Sequence, residues 1–498
     1  MIGEMDVDKI VGYFRGRSIL VTGSTGFLGK VLVEKILRVQ PDVKKVYLLI
    51  RASDMESAKF RIQTEVIARE VFQVLREMHG VGFDNFIEEK ICPLAGDIMY
   101  VNFGLGFAKV RELFKDIDII VNGAATTNFF ERYDVAFNAN VLGVKHVCAF
   151  ANKCTKLKML LRVSTAYVAG EQEGLISEKP FLMGESLRVG TNTDIESELN
   201  FIQQIMGELK ANSSTVMDER KTMKELGLMR ARQFGWPNTY VFTKAMGEMM
   251  LGHMRGDFPL VIIRPSIITS TLKDPFPGYM EGIRTIDSVI VGYAKQTLSF
   301  FLADLNCIMD VVDSRRHGGE RYDGFHGSTL RGSASAYHLP CKIIIAQPRT
   351  LRYPCRFRPS LLLRQSAMHG ENGEFVRLKK MRFFRTLRGL RLYMAINYKL
   401  PLEMLHLANI VLCGIFSCRY NELSRKYKFA MHLIELYAPY SFFKGCFDDI
   451  NLEKLRIAMK KGENNNGSNC FNFDPISIDW DDYFYSVHIP GVLKYTSV

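Results

Sequence analysis

Short runs of aliphatic and β-branched residues alternate with amphipathic stretches over the first half of the chain. The apolar runs lie at residues 18–22, 45–50, 117–121, 158–163 and 260–263, and a helical pattern follows the first of them at 27–38. Strands that alternate with helices are typical of a parallel sheet covered by helices on both faces. The pattern therefore predicts an α/β fold built on a doubly wound parallel sheet.

This alternation is interrupted in two places. Residues 180–235 form a long polar stretch rich in Glu, Lys and Met, which predicts a largely helical insertion. From residue 375 onwards the pattern is helical with aromatic-rich loops, which predicts a smaller, mainly helical C-terminal domain over 375–498. Residues 10–312 then form the N-terminal α/β domain, and residues 313–374 fit neither pattern.

The longest uncharged apolar run lies at residues 404–418. It is shorter than the roughly 20 residues that a membrane-spanning helix needs. A helix buried in the core is our preferred interpretation, and a helix that lies in a membrane interface is the alternative. Residues 1–11 are acidic and contain no apolar segment, so we expect no signal or transit peptide there.

The chain has a net charge of +12 and ten cysteines. The basic excess is concentrated at residues 313–368, which hold nine arginines, so it does not indicate a nucleic-acid partner. The cysteines include no C-x-x-C pair, and the histidines of this segment match no ligand spacing, so we expect no metal site. Reduced thiols in a cytosol-facing compartment are the expected state.

A glycine-rich turn, T-G-S-T-G-F-L-G-K at residues 22–30, follows the first predicted strand and opens the first predicted helix. This context is typical of a dinucleotide-binding Rossmann fold, because a pyrophosphate must lie against backbone N–H groups at a helix N-terminus. The G-x-x-G-x-x-G spacing is that of short-chain dehydrogenases and reductases. The cofactor-binding residues predicted here are Gly23, Ser24, Thr25, Gly26, Phe27 and Gly29.

Arg51 ends the second predicted strand, where NAD-dependent enzymes usually carry an acidic residue. A guanidinium at this position would pair with a 2′-phosphate, which favours NADPH as the cofactor; an ordinary surface arginine is the alternative. Other residues that follow predicted strands are expected to line the adenosine side of the site. They are Asp97, Ile98, Ala124, Ala125 and Thr126.

Tyr240 and Lys244 are four residues apart on a helical pattern and therefore share a face. The ammonium would lower the pKa of the phenol towards neutrality and hold the nicotinamide ribose, which makes Tyr240 a candidate general acid. Thr165 follows a predicted strand, and its hydroxyl would orient a substrate carbonyl beside Tyr240. Ser164 is the alternative for that role.

Two more residues complete the predicted cofactor site. Asn140, in N-A-N-V-L-G, would help to carry a proton relay, and a helix-packing amide is the alternative interpretation. Pro265, in R-P-S-I-I-T-S-T, follows the last predicted strand.

The motifs V-T-G-S-T-G-F-L-G-K, Y-V-F-T-K-A-M-G-E and R-P-S-I-I-T-S-T, with D-P-F-P-G-Y-M-E-G after them, resemble those of the plant alcohol-forming fatty acyl-CoA reductases. The segments F-F-K-G-C-F-D-D-I-N-L-E-K-L-R and F-D-P-I-S-I-D-W-D-D-Y-F-Y-S-V-H-I-P-G-V-L-K-Y resemble that family's C-terminal male sterility domain. The resemblance covers residues 10–312 and 375–496.

The resemblance implies two hydride transfers from NADPH to a long-chain fatty acyl-CoA, through an aldehyde to a primary alcohol, as in wax and suberin metabolism. It assigns Tyr240 as the general acid and Thr165 as a hydrogen-bond donor to the substrate carbonyl. It assigns Lys244 two roles, to activate Tyr240 and to hold the nicotinamide ribose. It also implies a location in the cytoplasm or on the cytosolic face of the endoplasmic reticulum, with peripheral contact to that membrane.

The resemblance stops after Val312 and resumes near Phe375. Codons for residues 315–327 can encode G-G-M-V-V-N-A-T-M-A-S-M in the next frame, and codons for 338–349 can encode I-Y-H-V-K-S-S-S-R-N-P. Both hidden sequences resemble the family, so we interpret 313–374 as a frame-shifted and irregular segment.

Two alternatives to alcohol formation stay open. One is an enzyme on the same scaffold that stops at the aldehyde or reduces another carbonyl. The other is a pseudoenzyme that binds NADPH but has lost turnover through the irregular segment.

Overall fold

The structure is a computed structural model of the full chain. It describes residues 11–295, 298, 300–303, 309–312, 343–346, 356–357, 367–369, 375–377, 382–462 and 478–496. The prediction that residues 313–374 are irregular therefore falls mostly outside the described residues.

The strands and helices are numbered here in chain order. The strands are β1 Ser18–Thr22, β2 Lys45–Ile50, β3 Ile91–Ala95, β4 Ile119–Asn122, β5 Met159–Val163, β6 Gly174–Ile176, β7 Leu260–Ile263, β8 Ile267–Ile268, β9 Phe300–Leu302, β10 Met309–Val312, β11 Ile343–Ala346, β12 Arg356–Phe357, β13 Ala367–His369, β14 Phe375–Arg377, β15 Arg382–Phe384 and β16 Gly445–Phe447. The α-helices are α1 Phe27–Val39, α2 Met55–Ile62, α3 Gln73–His79, α4 Phe83–Lys90, α5 Phe107–Asp116, α6 Tyr133–Phe137, α7 Gly143–Ala151, α8 Ile195–Ala211, α9 Val216–Gln233, α10 Thr239–Met254, α11 Thr285–Ala294, α12 Leu387–Met394, α13 Leu400–Val411, α14 Ser417–Ser441, α15 Ile450–Gly462, α16 Trp480–Asp482 and α17 Ile489–Thr496.

The central sheet has seven strands in the order β11-β7-β5-β4-β1-β2-β3, and every neighbouring pair is parallel. The order reverses direction between β1 and β4, which are paired from Ile19 with Ile119 to Thr22 with Asn122. Ligands of open α/β sheets bind at such a switch point, outside the carboxyl ends of the strands. This topology confirms the predicted doubly wound Rossmann fold.

Side chains that alternate along the strands supply two cores, one on each face of the sheet. Ile19 and Val21 face the helix α1, whereas Leu20 faces α5 and α7. The predicted insertion contains α8 and α9, which pack against one side of α10 and form a third buried cluster. The helix α10 is therefore covered on two sides, which holds its side chains in place.

The C-terminal residues continue the main fold as well as adding helices to it. The strand β16 pairs with β6, and β15 pairs with β9, both in parallel. Tyr483, Phe484 and Val492 belong to the same buried core as α1 and α11. The Tyr483 hydroxyl lies 2.8 Å from Thr269 Oγ1, and His488 Nδ1 lies 3.1 Å from the Ser270 hydroxyl, so a buried polar network joins the two regions.

The described residues include three short strands within the segment that we expect to be irregular. The strand β11 pairs in parallel with β7 and forms an edge of the central sheet, with Ile343 opposite Leu260. The backbone is also extended and paired at β12 and β13. The prediction for the other residues of 313–374 stays a prediction.

The apolar run at 404–418 is not a core helix. It forms the end of α13, the turn after it and the start of α14, and Leu407 and Ile410 are 62% and 61% exposed. Leu402 is the buried side chain of α13 among the described residues. The preferred interpretation of this run as a buried helix is therefore wrong, because the hairpin of α13 and α14 presents the run to its surroundings. No helix of the described residues is long and apolar enough to cross a membrane.

Candidate active site

The glycine turn between β1 and α1 is packed too tightly for larger residues. Gly23 has φ +78°, a left-handed backbone conformation, and a Cβ there would lie 2.6 Å from Ala124 N. A Cβ on Gly29 would lie 2.8 Å from Ser24 Cα and closer still to the Gly23 carbonyl oxygen. At these two glycines the turn therefore brings bare backbone close to the start of α1.

This helix N-terminus has the properties of an anion site. Gly26 is its N-cap and provides no side-chain cap, and the first turn of α1 contains no acidic residue. The backbone N–H groups there favour a phosphate oxygen. The buried Ser24 hydroxyl has no hydrogen-bond partner among the described residues. These features fit the pyrophosphate of a dinucleotide cofactor.

The loop after β4 lies beside the glycine turn and is fixed by side chains from both sides. Thr22 Oγ1 accepts a hydrogen bond from Ala124 N at 3.1 Å. The buried Asn140 amide holds Thr126 twice, since Oδ1 accepts from Thr126 N at 3.2 Å and Nδ2 donates to Thr126 O at 3.1 Å. Asn140 Nδ2 also donates to Thr243 Oγ1 at 3.0 Å. The Asn140 side chain thus ties the Ala124–Ala125–Thr126 loop to α10, and a proton relay through this amide stays a prediction.

The predicted adenosine-side residues lie at the carboxyl ends of β2 and β3. Arg51 directly follows β2 and is exposed. Asp97 Oδ1 accepts from Met99 N at 3.0 Å and so holds the turn after β3. Ile98 is buried beneath that turn, and its carbonyl oxygen lies 2.9 Å from His146 Nδ1. These residues lie at the carboxyl edge of the sheet, as the glycine turn after β1 does.

The catalytic candidates meet at the carboxyl end of β5. Tyr240 and Lys244 lie one turn apart on α10. Lys244 Nζ donates a hydrogen bond at 2.9 Å to the carbonyl oxygen of Val163, which is the last residue of β5. Thr165 comes two residues later, where its hydroxyl lies 3.3 Å from the Pro265 carbonyl and also shares a hydrogen bond with the Tyr240 phenol. The structure therefore brings Thr165, Tyr240 and Lys244 together. Ser164 is buried next to Thr165, and its hydroxyl has no hydrogen-bond partner among the described residues.

The protonation of Tyr240 differs from the expectation drawn from its sequence spacing. We expect Lys244 to lower the pKa of the phenol towards neutrality, but burial instead raises the pKa of Tyr240 to about 12. Arg162, Arg284 and the Thr165 hydrogen bond act in the opposite direction without overcoming the desolvation. Desolvation dominates because the charged phenolate would lose its hydration in this pocket. Tyr240 is therefore fully protonated at neutral pH, as a proton donor must be.

Arg162 is a site residue that the sequence interpretation missed. It lies on β5 and is completely buried, and its Nη1 donates to the Ala124 carbonyl at 3.4 Å. Its Nε and Nη2 have no hydrogen-bond partner among the described residues, and burial lowers the pKa of this guanidinium to about 10. The charge inside the apolar run M-L-L-R-V was the available signal, because an arginine is almost never fully buried unless a partner compensates its charge.

Aromatic side chains from both regions of the chain pack next to Tyr240. The ring of Phe129 stacks on Tyr240 at 5.7 Å between ring centroids, and Tyr437 and Tyr440 of α14 lie 5.9 and 5.2 Å from Phe129. Tyr167 meets Tyr440 edge to face at 5.0 Å. We call Phe129, Tyr167, Tyr437 and Tyr440 the aromatic cluster. A cleft of about 600 Å³ opens beside it, between the loop at 171–173 and α14.

The arrangement suits reduction of a carbonyl group by a nicotinamide cofactor. The glycine turn, the protonated phenol of Tyr240 and the hydroxyl of Thr165 lie at the carboxyl edge of the sheet. The described residues contain no group of side chains that would hold a metal ion. The cysteine thiols Cys148 and Cys154 are poor nucleophiles, because burial raises the pKa of each to about 12. Neither of these two thiols is therefore a good nucleophile at neutral pH.

Comparisons with known proteins agree with this interpretation. Two family models, both described as male sterility protein, match residues 21–314 and 397–497. Fatty acyl-CoA reductase 1 of Arabidopsis thaliana is 44% identical over 503 residues, with 97% of this chain and 98% of that protein covered. The alcohol-forming fatty acyl-CoA reductase of Simmondsia chinensis is 42% identical, with 98% and 99% covered.

The solved structures share the fold. The reductase domain of a nonribosomal peptide synthetase from Mycobacterium tuberculosis superposes with a TM-score of 0.55 at 16% identity, over 99% of this chain and 95% of that one. The terminal reductase domain of the myxalamid biosynthetic pathway gives 0.52 at 16% identity, over 97% and 90%. The near-complete match to sequence relatives decides the family: the chain belongs to the fatty acyl-CoA reductases of the male sterility protein family, an oxidoreductase family with a nicotinamide-binding domain.

Proposed function

We propose that this protein reduces a long-chain fatty acyl-CoA to a primary fatty alcohol, with NADPH as the reductant and an aldehyde as the intermediate. The observation that carries the proposal is the proximity of Tyr240, Thr165 and Lys244 at the carboxyl edge of the sheet that holds the glycine turn. The chain also matches an alcohol-forming fatty acyl-CoA reductase over nearly its full length. A role in wax or suberin synthesis belongs to the same proposal.

The residues act on the carbonyl oxygen of the thioester. Thr165 and Tyr240 donate hydrogen bonds to this oxygen, where negative charge develops as the carbon is reduced, and Tyr240 transfers its proton to it. Bound NADPH supplies one hydride in each of two rounds. The resulting hemithioacetal returns its hydroxyl proton to Tyr240, its C–S bond breaks with the electron pair on sulfur, and CoA leaves as a thiolate. Tyr240 then protonates the aldehyde oxygen in the second round and regains its proton from water.

The preference for NADPH rests on Arg51, which stands exposed at the end of β2. We expect the parent protein to bind NADPH more tightly than NADH by about 1–3 kcal/mol, because a charge-assisted pair with the 2′-phosphate is available to one cofactor alone. Arg51→Ala should remove this difference by weakening NADPH binding and leaving NADH binding unchanged. Fluorescence titration of both cofactors measures it.

Lys59→Ala is the matched control for this titration, because Lys59 is an exposed cation on the following helix that pairs with Glu56. Its replacement should leave the ratio of the two affinities as it is. Equal affinities of the parent protein for NADPH and NADH would refute the role of Arg51.

We also propose that the protein works at the cytosolic face of the endoplasmic reticulum, with the hairpin tip as the part that contacts the lipid. The hairpin tip is defined as residues 404–418, which contain no Asp, Glu, Lys or Arg. Its exposed apolar side chains lie on the helix ends and on the turn between them, and Leu412 and Ile415 belong to the turn. The residues that flank the tip within 399–428 are mainly basic. The basic ones are Lys399, Arg419, Arg425, Lys426 and Lys428, and the acidic ones are Glu403 and Glu422.

An apolar tip with a basic surround matches the interface of an anionic bilayer, where apolar side chains enter the acyl boundary and cations meet headgroups. The double variant Leu412→Asp and Ile415→Asp should reduce co-sedimentation with vesicles of phosphatidylcholine and phosphatidylserine by about tenfold or more. Met217→Asp changes an exposed apolar residue on α9, and this variant should bind like the parent. If parent and double variant bind the vesicles equally, the hairpin tip is not the contact.

A further inference from the structure

Tyr440 brings a second phenol to the catalytic tyrosine from the other region of the chain. It lies near the end of α14, and its ring is held between Phe129, which stacks on Tyr240, and Tyr167, which follows Thr165 by two residues. Tyr440 is therefore placed between the two segments that carry the catalytic hydroxyls.

Asn238 fixes the direction of this phenol. The Asn238 amide caps α10, since Oδ1 accepts from Val241 N at 3.1 Å, and its Nδ2 donates to the Tyr440 oxygen at 2.6 Å. The Tyr440 oxygen is the acceptor in this contact, so its own O–H proton is left to donate elsewhere. Among the described residues, the Tyr440 oxygen has its side-chain hydrogen bond with Asn238, and none in which it donates.

The chemistry of the proposed reaction offers an acceptor for this donor. Tyr240 and Thr165 already serve the carbonyl oxygen of the thioester. The other atom of the reacting group that gains negative charge is the sulfur, which receives the electron pair when the C–S bond of the hemithioacetal breaks.

We propose that Tyr440 is a second catalytic donor, whose O–H gives a hydrogen bond to the thioester sulfur as CoA leaves. The inference rests on the proposed acyl-CoA reductase function. No proton is transferred in this step: the C–S bond breaks, the electron pair stays on sulfur, the hydroxyl proton of the hemithioacetal returns to Tyr240, and water protonates the thiolate after release. Burial raises the pKa of Tyr440 above that of a free phenol, well above about 8.5 for a thiol, which keeps the proton on Tyr440.

The proposal makes the role of Tyr440 specific to one half of the reaction. An aldehyde substrate has no sulfur and no leaving group, so its reduction does not use this donor. Tyr440→Phe should slow the release of free CoA thiol from acyl-CoA by about 10- to 100-fold, the range for a lost hydrogen bond to a charged acceptor, and leave reduction of the matching fatty aldehyde unchanged. NADPH oxidation and thiol release are followed in one single-turnover reaction.

Two further variants separate this role from a loss of packing. Asn238→Asp retains the cap of α10 but presents an acceptor to the Tyr440 O–H, so it should reproduce the selective loss. Tyr437→Phe removes a neighbouring hydroxyl that is bonded to Ser288, and it should keep the parent ratio of thioester to aldehyde reduction.

The outcomes are distinct. A selective loss of thiol release in Tyr440→Phe supports the proposal. Equal losses with thioester and aldehyde, or no loss with either, would overturn it while the parent protein still reduces acyl-CoA. A parent protein that reduces aldehydes but no acyl-CoA would instead overturn the proposed function itself.

Discussion

Replacing Tyr240 with phenylalanine is expected to lower turnover with acyl-CoA by about 100-fold or more. The substitution keeps the ring that stacks on Phe129 and removes only the proton donor. Because burial raises the pKa of Tyr240 to about 12, the parent phenol is protonated throughout the neutral range. NADPH affinity should change little, since Lys244, not Tyr240, is assigned to the ribose.

Lys244→Ala provides the comparison for this variant. Lys244 is buried and donates to the end of β5, so its loss should weaken both cofactor binding and turnover. Steady-state NADPH oxidation and cofactor titration on the two variants separate the effects. A Tyr240→Phe protein that reduces acyl-CoA at the parent rate would mean that the acid lies elsewhere.

Gly29→Ala is expected to reduce NADPH affinity by about 100-fold or more and to destabilise the fold by about 1–3 kcal/mol. The added Cβ would meet the backbone of Gly23 and Ser24, which cannot rotate away as a flexible side chain does. The glycine turn must therefore open, and its N–H groups leave the positions that suit a pyrophosphate. Cofactor titration and chemical denaturation measure the two effects.

Gly82→Ala is the control, because a Cβ there meets nothing within 4 Å and the backbone has φ −86°. That variant should bind NADPH like the parent. If Gly29→Ala also binds NADPH like the parent, the phosphate cradle is not at this turn.

The fold was largely predictable because strands buried on both faces leave a strong local signal. The runs at 18–22, 45–50 and 260–263 coincide with β1, β2 and β7, and the predicted helix after the glycine turn is α1. The strand β3 was missed, since I-C-P-L-A contains a proline and follows a polar helix. An edge strand tolerates such a residue.

The cofactor cradle and the Tyr240–Lys244 pair were predictable for the same reason, since short-range spacing encodes them. Local spacing does not encode the environment of Tyr240. The raised pKa results from burial by packed neighbours, and Phe129 and Tyr440 reach the site from distant parts of the chain. The apolar run at 404–418 shows the same limit, because hydropathy does not distinguish a buried helix from an exposed one.

The number of NADPH molecules oxidised for each acyl-CoA consumed, measured together with the lipid product, tests the central claim most directly. The proposed reaction predicts two NADPH oxidised and one CoA thiol released per acyl-CoA, with a primary fatty alcohol as the product. A ratio of one with an aldehyde as the end product would contradict alcohol formation. Binding of NADPH without any oxidation in the presence of acyl-CoA would contradict catalysis by this chain altogether and would favour the pseudoenzyme alternative.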